Sequence, residues 1–263
     1  MKKLNGEELH SVLLEIAKAF HDICERNKIP YFMLGGTMLG AVRHKGIIPW
    51  DDDMDFGVPR EYFEKLKKTL REELPSNMEA MSVETSESII LDIIKIQDKR
   101  TLVRELFREN LEESFGVNVD VFPLDRTLYG NNTFRAKMAE VLKNIQQYRF
   151  LSLKSRPIHK KIAALIIKTL LFCIDRETII NIIRNNFADK QGGYIANYYG
   201  AWGRKEIIPH EIMEPAILYK FEDTNFYGVR NYDSYLTSLY GDYMMLPPEE
   251  KRHFHLTDVY WKD

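Results

Sequence analysis

Apolar residues recur every three or four positions along residues 9–24, the spacing that places side chains on one face of a helix. The chain is therefore predicted to open with an amphipathic helix. A short apolar run at 31–34 predicts a buried strand, and residues 53–58, in which acidic and apolar residues alternate, predict a second strand. Between them, residues 38–43 predict a short helix, and helical spacing returns over residues 60–74.

Two further runs, residues 89–96 and 117–122, are rich in isoleucine and valine and predict two more strands. Pro123 is expected to end the second of them, because proline lacks the N–H group that a strand ladder uses. Helices thus alternate with strands through the first half of the chain. This alternation predicts an α/β core.

The second half of the chain has a different character. Residues 133–187 have helical spacing and mixed charge, whereas the last third is aromatic and contains glycine turn signals. A hairpin is predicted over residues 218–229 and a helix over residues 232–243.

Composition narrows the class of protein. Of the 263 residues, 44% are apolar and 29% are charged, and the net charge is −2, so nothing in the overall charge favours nucleic acid as a partner. Cys24 and Cys173 lie far apart without metal-type spacing, which favours reduced thiols in a cytoplasmic protein. Asn5-Gly6-Glu7-Glu8 stands where a secretion signal would need an apolar stretch.

The most apolar stretch of the chain is residues 162–174, which is shorter than the roughly 20 residues that cross a bilayer. Lys160, Lys161 and Lys168 accompany it, a combination typical of a helix that lies in a membrane interface. A helix packed in the protein core is the alternative, and we expect the core-packed form.

Residues that can carry chemistry cluster between positions 34 and 57. Gly35 and Gly36 end a predicted strand just before a helix with Thr37 near its cap. Glycine lets a phosphate approach the backbone N–H groups where the helix dipole is positive. By itself, this pattern is also typical of an ordinary turn.

Asp53 and Asp55 follow on a predicted strand, where alternate side chains share a face, so both carboxylates point away from the core. Adjacent carboxylates repel unless a cation lies between them, and hard oxygen ligands suit Mg²⁺. A calcium-binding loop is the alternative, but Phe56 and Tyr62 occupy the positions where an EF-hand loop has its glycine and its distal glutamate.

Asp120 is the third candidate carboxylate. It lies in a predicted strand between Val119 and Val121, and a buried charge is costly unless it is paired or metal-bound. Lys95 is unusual in the same way inside the predicted strand 89–96, and it is a candidate phosphate contact.

Several blocks of this chain resemble the LicD family. They are Gly35-Gly36-Thr37, Arg43-His44-Lys45-Gly46, Ile48-Pro49-Trp50-Asp51-Asp52-Asp53-Met54-Asp55, Val119-Asp120-Val121-Phe122-Pro123-Leu124-Asp125 and Leu239-Tyr240-Gly241-Asp242-Tyr243-Met244. That family transfers phosphocholine from CDP-choline to hydroxyls of bacterial surface glycans, and fukutin-type ribitol-phosphate transferases are related to it. The resemblance is specific for the family and much less specific for the donor.

The resemblance implies a nucleotidyltransferase-like fold, a mixed sheet with flanking helices, whose catalytic residues and metal ligands are Asp53, Asp55 and Asp120. Mg²⁺, or Mn²⁺ in its place, would bridge the donor's pyrophosphate, and one aspartate, Asp120 first, could instead take the acceptor's proton. Nucleotide and phosphate contacts are expected from Gly35, Gly36, Thr37, Arg43, Lys45 and Lys95. Additional candidates are Trp50, Asp51 and Asp52.

The expected organisation is a catalytic core at residues 1–130, a helical segment at 131–190 and a C-terminal part at 191–263 that packs back on the core and completes the donor and acceptor site. Choline's trimethylammonium group is held by aromatic faces. Candidates for that contact are Tyr198, Tyr199, Trp202 and Tyr240. Packing in the core is the alternative for these residues.

The predicted function is metal-dependent transfer of phosphocholine, or a similar phospho-group, from CDP-choline or another CDP-linked donor to a glycan hydroxyl. The acceptor would be a bacterial cell-surface glycan of teichoic acid, lipopolysaccharide or capsule type. A lipid-linked acceptor would bring this cytoplasmic enzyme to the inner face of the plasma membrane as a peripheral protein. Two alternatives stay open: a nucleotidyltransferase that modifies a small molecule, and a non-catalytic Ca²⁺-binding module.

Overall fold

The computed structural model describes residues 1–104, 115–150, 157–189, 191–252, 254 and 258–262. The helical segment predicted at 131–190 includes positions 151–156 and 190, which lie outside the described residues.

The first half of the described chain alternates helices with strands, as predicted. Its elements are α1 (Gly6–Asn27), β1 (Phe32–Met33), α2 (Gly35–Arg43), β2 (Asp55–Pro59), α3 (Arg60–Glu73), β3 (Met78–Met81), β4 (Ile94–Asp98), β5 (Thr101–Val103) and β6 (Asn118–Thr127).

The second half begins with three helices and continues with short strands. Its elements are α4 (Phe134–Arg149), α5 (Ile158–Leu170), α6 (Arg176–Phe187), β7 (Tyr194–Ala196), β8 (Ile207–Pro209), α7 (His210–Met213), β9 (Ile217–Phe221), β10 (Thr224–Gly228), α8 (Tyr232–Tyr240) and β11 (Val259–Trp261). Two short 3-10 turns lie at Gly203–Glu206 and Glu249–Lys251. The predicted hairpin is β9 with β10, and the predicted last helix is α8.

One mixed sheet organises the described residues. Its strands run in the order β3-β4-β6-β2-β1-β10-β9, and β7 and β8 extend it from β6. β2 is parallel to β6 and β1 is parallel to β10, whereas β1 and β2 are antiparallel. β5 and β11 pair separately. The prediction of an α/β fold with a mixed sheet and flanking helices is confirmed.

Helix α1 covers the core side of β2. It begins at a capping box, in which the Glu8 N–H donates to the Asn5 side chain (2.8 Å) and the Glu8 carboxylate accepts from the Asn5 N–H (3.0 Å). Its apolar face is buried, and the Phe20 ring lies 5.0 Å from the ring of fully buried Phe56 on β2. Because side chains alternate along a strand, this packing turns Asp55 to the opposite side.

The prediction that Pro123 ends its strand was wrong, because β6 continues to Thr127. The Asp120 N–H donates to the Met54 carbonyl on the β2 side, so alternation turns position 123 to the other edge. On that edge the β4 pairing stops at Val121 and the β7 pairing starts at Asp125. The missing N–H of Pro123 therefore falls in the gap between two partner strands.

The strand predicted at 89–96 was also displaced, since β4 covers Ile94–Asp98. Ile89, Leu91 and Ile93 are buried in the segment that leads into β4 rather than in a strand. Burial alone explains their apolar character, and a short apolar run does not separate a strand from a buried connection.

The expectation that residues 162–174 pack in the core was wrong. Ala164 is the buried residue of α5, whereas Ile158 is 71% exposed, Leu170 is 74% exposed and Phe172, just beyond the helix, is 84% exposed. Among the described residues, no helix has both the length and the apolar character needed to cross a membrane.

Candidate active site

Helix α2 begins directly at the glycine pair. Gly35 has a φ of +46°, a left-handed conformation that favours glycine. Leu34 occupies the N-cap position and makes no side-chain cap, because it has no acceptor to offer. A Cβ atom on Gly36 would lie 2.7 Å from a carboxylate oxygen of Asp51. The absence of a side chain at Gly36 therefore keeps a narrow gap open beside Asp51.

Buried hydroxyl groups tie the start of α2 to its neighbours on two sides. The Asp55 N–H donates to the Thr37 hydroxyl (2.8 Å), and the Gly35 N–H donates to the Tyr235 hydroxyl of α8 (3.0 Å). The Leu34 N–H also donates to the Asp55 carbonyl (2.9 Å). The glycine pair is thus held against the first residue of β2 on one side and against the C-terminal part of the chain on the other.

Asp55 and Asp120 are partners in the parallel pairing of β2 with β6. Side chains at such positions project from the same face of the sheet, with the strands about 4.8 Å apart. Asp53 lies two residues before Asp55, and the charge of Asp120 acts on both of these carboxyl groups. The three predicted aspartates therefore form one electrostatic group.

Desolvation and mutual repulsion raise the pKa values of this group. The pKa of Asp53 is raised to about 7, first by desolvation and then by the charges of Asp51 and Asp120, although part of the residue is open to solvent. Desolvation, followed by the charges of Asp53 and Asp120, raises the pKa of Asp55 well above its usual range. Desolvation and the charge of Asp52 raise the pKa of Asp51 to about 6. A divalent cation would relieve this repulsion.

The three carboxylates that approach one another within 4.8 Å in the described part of the chain are Asp51, Asp52 and Asp53. This trio differs from the predicted ligands Asp53, Asp55 and Asp120, and Asp53 is common to both. A donor set made of carboxylate oxygens suits a hard cation such as Mg²⁺ or Mn²⁺. The residues present therefore fit the implied metal, and the predicted ligand set stays a prediction.

Lys95 has a carboxylate partner. It faces Asp120 across β4 and β6, and its Nζ atom donates to both Asp120 oxygens (2.5 and 2.7 Å) and to the Asn118 side chain (2.9 Å). The ammonium group of Lys95 therefore partly offsets the charge of the aspartate group. A direct phosphate contact from Lys95, as predicted from the sequence, stays a prediction.

Arg43 and Lys45 lie at the opposite end of α2 from the glycines. With a rise of about 1.5 Å per residue, Arg43 is about 12 Å from Gly35 along the helix axis. Its guanidinium group donates to the Tyr243 carbonyl (2.7 Å). Lys45 is exposed, and its carbonyl accepts from the Glu222 N–H (2.7 Å). The structure does not bring these two residues to the first turn of α2, and their phosphate contacts stay predictions.

Trp50 lies beside this basic end of α2. Its ring makes an edge contact with the His44 ring at 5.7 Å, and the Arg252 guanidinium lies 5.3 Å from the ring centre.

The four aromatic candidates divide into two pairs. Tyr198 and Tyr199 are buried in the core, and the Tyr198 hydroxyl donates to the Phe187 carbonyl (2.9 Å), so core packing, the alternative for these residues, applies to this pair. Trp202 and Tyr240 pack edge to face with their ring centres 4.8 Å apart. A Cβ atom on Gly35 would lie 3.7 Å from both the Tyr240 hydroxyl and an Asp55 carboxylate oxygen. The second pair therefore borders the aspartates and the glycine pair.

Glu206 was missed by the sequence analysis, and it organises the loop that carries Trp202. Its buried carboxylate accepts from the Trp202 N–H (2.8 Å) and from the Asn197 side chain (2.7 Å). A Cβ atom on Gly200 would collide with the same carboxylate, so only glycine fits there. Lys143, whose charge also acts on Glu206, donates to the Gly200 carbonyl (2.8 Å). No periodicity marks Glu206 in the sequence, and only the folded loop explains it.

Asp53 lies just before β2, Asp55 begins β2 and Asp120 lies on the neighbouring parallel strand, all near the glycine-rich start of α2. This arrangement is the one expected of a nucleotidyltransferase-type site. The family model described as "LicD/FKTN/FKRP, nucleotidyltransferase domain" matches residues 28–160, which include the glycine pair and all the aspartates of this site. The chain belongs to the LicD family.

Two relatives illustrate the range of this family. The lipopolysaccharide cholinephosphotransferase LicD of Haemophilus influenzae is 32% identical over 277 aligned positions, which cover 99% of each chain. The human ribitol 5-phosphate transferase FKRP is 32% identical over 111 positions, which cover 42% of this chain and 20% of the human protein. The alignment with a solution structure of the antibiotic-resistance factor ANT(2'')-Ia covers 67% of this chain and 93% of that chain, at 11% identity and a TM-score of 0.28.

We predict that Glu206→Gln makes stability less dependent on pH. Burial raises the pKa of Glu206 from 4.5 to about 7, so between these values the folded protein holds a proton that the unfolded chain releases. The free energy of unfolding should therefore fall as pH rises through this window, by on the order of 3 kcal/mol for this group, and the variant should lack that fall. Urea unfolding at about pH 5 and about pH 8 measures it.

The control is Glu87→Gln, because Glu87 is exposed and its substitution should leave the pH dependence unchanged. If the free energy of unfolding falls equally between the two pH values in the wild type and in Glu206→Gln, the raised pKa of Glu206 is not the source of this pH dependence.

Proposed function

We propose that this protein transfers phosphocholine, or a similar phospho-group, from a CDP-linked donor to a glycan hydroxyl. The observation that carries the proposal is the in-register placement of Asp55 and Asp120 beside the first turn of α2, with Asp53 in the same group. The near-complete alignment with a lipopolysaccharide cholinephosphotransferase supports phosphocholine as the transferred group and a bacterial cell-surface glycan as the acceptor. CDP-choline is the donor that the proposal names.

The proposed reaction exchanges one phosphorus–oxygen bond for another. The acceptor oxygen bonds to the head-group phosphorus, the bond from that phosphorus to the bridging oxygen breaks, and CMP leaves with the electron pair. The acceptor's proton passes to a carboxylate of the site. We assign this role to Asp120, whose orientation is set by its two hydrogen bonds from Lys95.

Binding of the donor's phosphates is assigned to the first turn of α2, where backbone N–H groups and the helix dipole favour an anion. Asp53 and Asp55, with Asp51 and Asp52 beside them, would hold Mg²⁺ or Mn²⁺. Such a cation, when bound, would neutralise negative charge on the pyrophosphate. The Trp202–Tyr240 pair would hold the head group, since its trimethylammonium is attracted to aromatic faces.

We place the reaction in the cytoplasm. Both cysteines are free, with Cys24 buried and Cys173 exposed, which suits a reducing compartment.

The first prediction of this proposal concerns the aspartates. Asp53→Asn or Asp55→Asn should lower kcat/KM for CMP release from CDP-choline by roughly 100-fold or more, because charge stabilisation in the reacting site is lost. The melting temperature should be unchanged or higher, since one repulsive charge is removed. Excess EDTA should have the same effect on wild-type activity.

Asp22→Asn, on the exposed surface of α1, is the control for this prediction. Full activity in either site variant would rule out the assignment. If the enzyme releases pyrophosphate from a nucleoside triphosphate and no CMP from CDP-choline, the result would support nucleotidyl transfer. If it binds Ca²⁺ stoichiometrically and shows no turnover, the result would support a binding module.

The second prediction concerns the phosphates. Gly36→Ala should weaken CDP affinity by about 10-fold, because its Cβ atom would displace the Asp51 carboxylate and fill the gap where a phosphate approaches. Isothermal titration with CDP and Mg²⁺ measures it. Gly193→Ala is the matched control, because a Cβ atom there meets nothing within 4 Å. Unchanged CDP affinity in Gly36→Ala would place the phosphates elsewhere.

The third prediction concerns the head group. Trp202→Ala should weaken CDP-choline binding by about 1–2 kcal/mol while leaving CDP binding unchanged, because only the choline group would contact the indole. Trp261→Ala, on the separate β5–β11 pair, is the control. If Trp202→Ala weakens CDP and CDP-choline binding equally, the aromatic pair is structural and the donor's head group is not choline.

A further inference from the structure

Helix α5 exposes an apolar face to solvent. Its exposed apolar residues follow helical spacing, so they form one continuous stripe: Ile158, Ile162, Leu165, Ile166 and Leu170, continued by Phe172. Folded proteins in water bury side chains of this size where they can, and a contiguous exposed apolar patch marks a surface that meets another apolar phase. The α5 face is therefore a candidate docking surface.

The charge of α5 favours one kind of partner. Residues 158–174 contain three lysines and no aspartate or glutamate. Lys160 and Lys161 lie in the first turn of α5, both partly exposed, and Lys168 lies in its last turn. Apolar residues that insert between acyl chains, flanked by lysines that meet anionic headgroups, are the features of a helix lying in a membrane interface.

A second copy of this chain fits the α5 face less well. In a two-fold dimer the same surface meets itself, which would bring the basic residues of one copy towards those of the other, and α5 itself supplies no aspartate or glutamate to pair with them. The same shortage of acidic residues removes the charge pairs that usually fix the register of two helices.

We propose that α5 docks this protein on the surface of a membrane that contains anionic lipids. With 13 residues, α5 is too short to cross a bilayer, so it lies along the surface with Ile162, Leu165 and Ile166 towards the acyl chains. Lys160 and Lys161 contact the phosphate groups of the lipids. This surface is separate from the aspartate site, and the inference does not depend on the proposed phosphotransfer.

Flotation of the full-length protein with lipid vesicles tests the proposal. The wild-type protein should float with vesicles of mixed phosphatidylcholine and phosphatidylglycerol at low salt, and much less with phosphatidylcholine alone. The double variant Ile162→Gln/Ile166→Gln should reduce the vesicle-bound to free ratio by about 10-fold or more, since two apolar side chains no longer insert. The matched control is Ile217→Gln/Leu218→Gln, which changes two exposed apolar residues of β9 and should bind as the wild type does.

A second variant keeps the test informative if the first does not fold. Lys160→Gln/Lys161→Gln removes only charge, and it should shift vesicle binding to lower salt concentrations and weaken its dependence on anionic lipid. CDP affinity should be unchanged in both double variants, which separates a failure of docking from a failure of the active site.

Three outcomes would overturn the proposal. They are no flotation of the wild type with anionic vesicles at low salt, equal flotation of wild type and both α5 variants, and a wild-type dimer that becomes monomeric in Ile162→Gln/Ile166→Gln without vesicle binding. The last result, from sedimentation velocity, would assign the α5 face to a second copy of the chain.

Discussion

The parallel pairing of β2 with β6 is the constraint on which the candidate site depends. It places Asp55 directly beside Asp120, an arrangement that two carboxylates would not adopt in water because they repel each other. The neighbouring residues Phe56 and Val121 are paired in the same ladder and fully buried, so the core holds the strands in register. The free energy of that apolar packing offsets the repulsion, and Lys95 removes part of it.

The sequence pattern predicted most of the elements that build this site. Alternation of apolar and acidic residues predicted both strands, although β2 begins at Asp55 rather than at the predicted Asp53. The shared face of Asp53 and Asp55 stays a prediction, whereas the register of β2 with β6 places Asp120 beside Asp55. A sequence pattern is a local signal, however, and it does not specify which strands pair when they lie far apart in the chain. The pairing of Lys95 with Asp120 across the ladder was therefore not predicted, and its phosphate contact stays a prediction.

Features that depend on tertiary packing escaped prediction for the same reason. The spacing of α5 predicts an apolar stripe, but it does not say what covers that stripe, and the expectation of core packing was wrong. Tyr198 and Trp202 are both aromatic residues near glycines, yet one is buried and the other borders the site. Glu206 has no signal at all, because its role comes from the folded loop that wraps around its carboxylate.

The candidate site combines residues from two separate parts of the chain. The glycine pair and the aspartates lie within residues 28–160, which match the family's nucleotidyltransferase domain, whereas Trp202, Glu206 and Tyr240 lie outside that match. The Gly35–Tyr235 hydrogen bond joins the two regions across 200 positions. The start of α2 is therefore fixed by Tyr235, a residue outside the matched domain, and the geometry of the glycine pair depends on both parts of the chain.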